Sequence, residues 1–234
     1  MVYLRWCMAG MVAMCPVTLW GEGIHFVSPA PMQIFQREGF VPREAHPHAV
    51  GEPAIGFADV PLIIHTAEEL LNLPSGHAEV LLRVSNTRDA SQVMDKRVTL
   101  QKKDQGSWVG SVRLPAGGWY KIELESKNKD QTVSGSMEPV GVGEVFLIAG
   151  QSYATNTNDE KMLITDREKR VAAWNFRDGT WRTADDPQPT PDGSDGGSIW
   201  PPVGDHLAGL LNVPIGFANV AWGGTSSDQW LPAG

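Results

Sequence analysis

From Ile24 to about Val140, apolar and polar positions alternate in short runs broken by Gly, Pro, Asn and Asp. The runs "MQIFQR", "AEVLLRVS", "RVTLQKK", "SWVGSVRL" and "WYKIELES" each carry β-branched or aromatic residues with partial alternation, which predicts strands. Only the brief "TAEELLNL" has a helical period. This is the pattern of a β-sandwich. Within "LPAGGWYKIEL", a Leu, a Pro/Gly turn and a Tyr opening a strand match the tyrosine corner of immunoglobulin-like sandwiches, so Tyr120 is either the corner residue or a plain packed strand tyrosine.

Near Gly141 the pattern changes. "VGEVFLIAG" is a continuous apolar run of the kind buried on both faces of a parallel sheet. "WPPVGDHLAGLLNV" then puts Val203, Leu207, Leu210 and Leu211 on one helical face behind Pro201 and Pro202. "VPIGFANVAWGG" reads as a second buried strand ending in glycines. Strand, helix, strand with glycine-rich turns predicts an α/β layer. Between the two strands, "RVAAWNFRDGTWRTA" predicts a hairpin turning at Asp178-Gly179. The stretch "DDPQPTPDGSDGG" is a loop whose Asp185, Asp186, Asp192 and Asp195 form a solvated face or, alternatively, a calcium site. The expected organisation is a signal peptide over 1–23, a β-sandwich over 24–141 and an α/β domain over 142–234.

Composition narrows the partners. With 41% hydrophobic residues in 234, the chain can bury a substantial core, and its formal net charge of -8 argues against a phosphate backbone as partner. Behind Arg5, the mostly apolar run "WCMAGMVAMCPVTLW" is interrupted by Pro16 and falls short of the roughly 20 residues of a spanning helix. It predicts a signal peptide and a secreted or periplasmic mature chain with no membrane insertion, the alternatives being a buried strand or a membrane tether. Both cysteines, Cys7 and Cys15, lie in this run, so a processed chain has neither disulfides nor cysteine metal sites. A lipid anchor on Cys15 is disfavoured by Met14, where such sites carry a small residue.

The candidate chemistry starts at "VFLIAGQSYATN". Ser152 directly follows a buried strand, at the carboxyl end where open α/β sheets place their ligands. It is either a nucleophile with a backbone N–H ready for an oxyanion or the N-cap of the next helix. Ala154 stands where a G-x-S-x-G elbow has its second glycine. The second strand end, "VAWGGTSSDQWLP", brings Gly223, Gly224, Thr225, Asp228 and Trp230 to the same sheet edge.

Together "IAGQS" and "GGTSSDQW", with "GGSIWPPVGDHLA" between them, resemble the sialate O-acetylesterase family of carbohydrate esterases among the SGNH hydrolases. The resemblance covers roughly Val142 to Gly234. It implies a flavodoxin-like α/β fold, an acetylated sugar or polysaccharide as substrate, and neither metal nor cofactor. Ser152 is then the nucleophile, and its own N–H and that of Gly197, with Gly196 as the alternative, form the oxyanion hole. Gln151 braces the turn, and Asn156, Gly224, Thr225 and Asp228 orient the site or bind sugar. Trp230 packs.

Two departures from the family are visible. Tyr153 replaces the usual Asn after the serine, and no Asp is followed three residues later by His, the motif that supplies the base. His206, beside Asp205, reads as a surface residue, and His25, His46, His48, His65 and His77 fall outside the esterase-like part. The expectation is therefore the N-terminal part of an esterase, ending before its catalytic histidine and inactive alone. The alternative is a non-catalytic glycan-binding or cell-surface module on the same scaffold.

Overall fold

The computed structural model describes residues 23–39, 54–66, 76–104, 106–128 and 131–231. The expected signal peptide up to residue 22, "TAEELLNL" beyond Thr66, His46 and His48 lie outside them. Among the described residues eleven strands form one mixed sheet, flanked by one α-helix. In chain order the strands are β1 (Ile24–Ser28), β2 (Ile34–Gln36), β3 (Phe57–Thr66), β4 (His77–Asn86), β5 (Asp89–Asp104) and β6 (Ser107–Pro115). They continue with β7 (Gly117–Asn128), β8 (Gln131–Ile148), β9 (Val171–Asn175), β10 (Thr180–Thr183) and β11 (Ile215–Asn219). The helix α1 (Trp200–Leu211) precedes β11.

The order across the sheet is β1-β3-β6-β5-β4-β7-β8-β11-β9-β10, with β2 also paired to β8. Alternation sets the faces: in β4, Ala78, Val80, Leu82 and Val84 are buried while Glu79, Leu81 and Arg83 face out. β3 follows the same rule through Ala58, Val60, Leu62 and Ile64. Its Pro61 lies past the last β1 partner, Ile63, on a free edge where a missing N–H costs no ladder bond. The Tyr120 hydroxyl donates to Pro115 O at 3.0 Å, a backbone bond of the tyrosine-corner kind.

The expected fold class, an immunoglobulin-like sandwich followed by a partial flavodoxin-like α/β domain, is corrected by this sheet. β8 is 18 residues long; its first part pairs with β7 and its last part with β11, so both halves of the chain share one sheet. Parallel pairing does occur, since β11 lies between β8 and β9 and runs parallel to both, but β10 is antiparallel to β9. A doubly wound layer needs helices on both faces. Here, among the described residues, α1 is the one α-helix that packs against β9 and β11. The connection from β8 to β9 holds no α-helix, because "TNTNDEKMLITDREK" clusters its apolar residues at Met162, Leu163 and Ile164 instead of spacing them at a helical period.

Two glycines fix the packing around this parallel part. A Cβ on Gly143 would fall 1.9 Å from Pro214 O, so β8 passes this close to the chain entering β11 only with glycine there. On α1, a Cβ at Gly204 would meet Val171 Cγ1 at 2.4 Å. The helix therefore seats on Pro201, Gly204 and Ala208, flanked by Trp200, Val203, Leu207 and Leu211, whereas Leu210 of the predicted face is exposed. The hairpin at Asp178-Gly179 joins β9 to β10. No described helix is long and apolar enough to cross a membrane.

Candidate active site

The ends of β8 and β11 stay joined past the strands. Val220 N–H donates to Ile148 O at 2.8 Å and Trp222 N–H to Gly150 O at 3.0 Å. This ladder carries Gln151 and Ser152 up beside the turn at Gly223 and Gly224. Ser152 opens a 3-10 turn, Ser152–Ala154, whose N-cap is Gln151, so the serine is not the cap residue. Its carbonyl accepts from Thr155 N–H at 3.1 Å and from the Thr155 and Thr157 hydroxyls at 2.9 and 2.8 Å. The backbone is thus pinned while the hydroxyl donates only to Gln151 Oε1, at 2.6 Å. Ser152 N–H has no hydrogen-bond partner among the described residues.

The turn is held from outside by two side chains that sequence reasoning missed. Asn219 Nδ2 and Trp200 Nε1 both donate to Ala154 O, at 2.8 and 3.0 Å. Asn219 ends a strand and Trp200 begins a helix, positions with no local signal of such a reach.

The other predicted residues divide. Gly197 and Asn158 exchange backbone bonds, Gly197 N–H donating to Asn158 O at 2.7 Å, and Gly196 N–H donates to Asn156 O at 3.2 Å. Both amides point into the fold. A Cβ on Gly197 would fall 1.6 Å from Glu160 O, which accounts for glycine there on packing alone. Asn156 is buried, and its amide is taken up by the loop: Nδ2 donates to Gln188 O, Ser194 O and Thr190 Oγ1, and Oδ1 accepts from Gln188 N–H. Gly224 has φ +75°, a turn conformation that favours glycine. Thr225 donates to Trp222 O at 2.8 Å and accepts from Trp230 Nε1 at 3.0 Å. Asp228 is exposed in the 3-10 turn Ser227–Trp230, which Ser226 and Gln229 cap reciprocally.

The acidic loop is not the solvated face expected for it. Asp186 is buried and accepts from Ser198 N–H, the Ser198 hydroxyl and Met162 N–H. Asp185 accepts from Ile164 N–H. Asp192 accepts from Gly223 N–H at 2.9 Å through Oδ2 and from Ser194 through Oδ1. Burial pushes the Asp192 carboxyl up, but the Ser194 hydroxyl and the Gly223 and Ser194 N–H groups outweigh it and hold the group below the ordinary carboxylate range. Only Asp195 is exposed among the four. Among the described residues no set of three His, Cys, Asp or Glu is arranged to hold a metal.

What the site can do chemically follows from this inventory: an ordered serine at a strand end, one free N–H beside it, and no described base hydrogen-bonded to its hydroxyl. His206 is exposed on α1, and His25, His65 and His77 lie in β1, β3 and β4.

No protein-family model matches the chain, and no curated protein matches it. Among solved structures it is similar to a carbohydrate acetylesterase from Xanthomonas citri, at 19% identity and a TM-score of 0.42. The match covers 86% of this chain and 41% of that one.

Proposed function

We propose that the chain carries the nucleophile of a carbohydrate ester hydrolase, with O-acetylated sugars, sialate or plant polysaccharide, as substrates. The observation behind this is the turn at the joined β8 and β11 ends, which pins the Ser152 carbonyl, leaves its N–H without a partner among the described residues and engages its hydroxyl only with the neighbouring Gln151. In this reading Ser152 Oγ attacks the acetyl carbonyl carbon and its N–H receives the developing oxyanion. The proton passes to a histidine, which returns it to the departing sugar hydroxyl as the tetrahedral intermediate collapses to acetyl-serine. Water then repeats the cycle and releases acetate. Gln151, the partner of the hydroxyl here, is not a base. The reading therefore needs a histidine delivered to Ser152 from outside the segment 149–231, and it places the protein outside the cytoplasm, where such polymers occur.

A second reading, a non-catalytic glycan-binding surface, has its own support. Tyr153, Trp222 and Trp230 are 81, 51 and 42% exposed, large aromatic faces of the kind that stack on sugar rings.

Acetate release from acetylated xylan and from O-acetylated sialic acid, measured with and without added imidazole as a substitute base, separates the two. The esterase reading expects slow turnover that imidazole raises and Ser152→Ala removes. Glycan binding that survives Ser152→Ala, with no acetate released under either condition, supports the binding module instead.

A further inference from the structure

We propose that Asp192 is a positioning residue that couples the Gly223-Gly224 turn to the Ser152 segment. One carboxylate serves both sides. Its Oδ2 accepts from Gly223 N–H at 2.9 Å, and its Oδ1 accepts from Ser194 N–H at 3.1 Å and from the Ser194 hydroxyl at 2.8 Å. Because that hydroxyl donates to Asp192, its oxygen is free to accept from Asn156 N–H, at 3.1 Å. Ser194 O accepts from Asn156 Nδ2 at 2.9 Å. The chain Gly223, Asp192, Ser194, Asn156 ends four residues after Ser152.

A bond from Asp192 to Ser194 alone would be an ordinary local turn, with no consequence beyond the loop. The bond to Gly223 is different, since it leaves the loop for the end of the other strand, 31 residues on. Glycine at 223 eases the approach: a Cβ there would sit 3.1 Å from Asp192 Oδ2, a tight contact. A carboxylate is the fitting group because both arms need acceptors at once. Asparagine offers one acceptor oxygen, and whichever way its amide sits, one arm meets an NH2 group. The carboxyl also stays ionised below the ordinary range, so the coupling persists into mild acid.

The coupling itself stands on this geometry, whereas its effect on rate rests on the reading of Ser152 as nucleophile. Two readouts keep them apart. Backbone amide exchange and chemical shifts are recorded on the whole chain for the wild type, Asp192→Asn and Ser194→Ala. In Asp192→Asn, exchange at Gly223 is expected to rise about tenfold and shifts to change at Thr155 to Thr157, with β4 unmoved. The Gly223 resonance of the wild type should titrate with the Asp192 carboxyl, and that titration should vanish in the variant. Ser194→Ala, which spares the Gly223 bond, should disturb the Asn156 end alone. An unaltered Gly223, or changes confined to 190–196, overturns the coupling. Labelling of Ser152 by a fluorophosphonate should slow about tenfold in Asp192→Asn, as displaced reacting groups do. Absence of labelling in the wild type with imidazole supplied as the base would remove the nucleophile reading and leave the amide data to decide the coupling.

Discussion

At the scale of single residues, Tyr120 offers the sharpest check. Burial pushes its phenol up to about 12, against a small opposing pull from Arg88. A tyrosine whose folded value is raised stabilises the fold below its unfolded value near 10, and this is lost as pH rises through the folded value. Phenolate absorbance should therefore show a component that ionises at the raised value, and it should vanish in Tyr120→Phe. Losing the bond to Pro115 O should cost about 1 kcal/mol in denaturant unfolding. Residues of this kind were partly legible in the sequence. Tyr120 could be read because its turn and strand are contiguous. The surroundings of Asn156 could not, because its partners Gln188, Thr190 and Ser194 lie 32 to 38 positions away and nothing local marks them. Gly197 misled for a related reason: a glycine kept for close contact with Glu160 O reads the same as one presenting a free amide.

Among the elements, α1 separates two effects that helix propensity alone would merge. Gly209 is exposed with open space where a Cβ would stand, so Gly209→Ala should stabilise by up to about 1 kcal/mol. Gly204 faces Val171 at a distance no Cβ tolerates, so Gly204→Ala should lose more in overpacking, about 1–3 kcal/mol, than propensity returns. Thermal unfolding of the two variants should move in opposite directions. The helix and the β9–β10 hairpin were readable because period and turn chemistry are local signals. The flavodoxin-like layer was not there to be read. Parallel strands and a helix suggested it, but the stretch between β8 and β9 lacks the apolar spacing of a second helix, and the sequence alone does not reveal that β8 is shared.

At the scale of the whole molecule, the polar anchors predict how the fold fails in acid. Asp166, largely buried with Arg170, is pushed up by burial, but the Arg170 guanidinium and N–H outweigh this and hold it below the ordinary range. Asp192 is depressed as well. Carboxyls lowered in the fold contribute stability above their unfolded value, near 4, and lose it as pH falls through the folded values. Unfolding free energy should be flat from neutral pH to about 5 and fall below about 4. Asp166→Asn should flatten that fall, while costing about 1–2 kcal/mol at neutral pH, because Arg170 loses its main partner but keeps Glu168 and Asn212. These effects concern the scaffold; the central claim is that the scaffold exists to present Ser152. It is tested most directly by trapping the acyl-enzyme. The protein is mixed with p-nitrophenyl acetate, quenched in acid and digested, and the peptide holding Ser152 is weighed. An acetyl group on Ser152, absent from Ser152→Ala, is the predicted result. Acetate released at a rate that Ser152→Ala leaves unchanged, with no acetyl on that peptide, would contradict it.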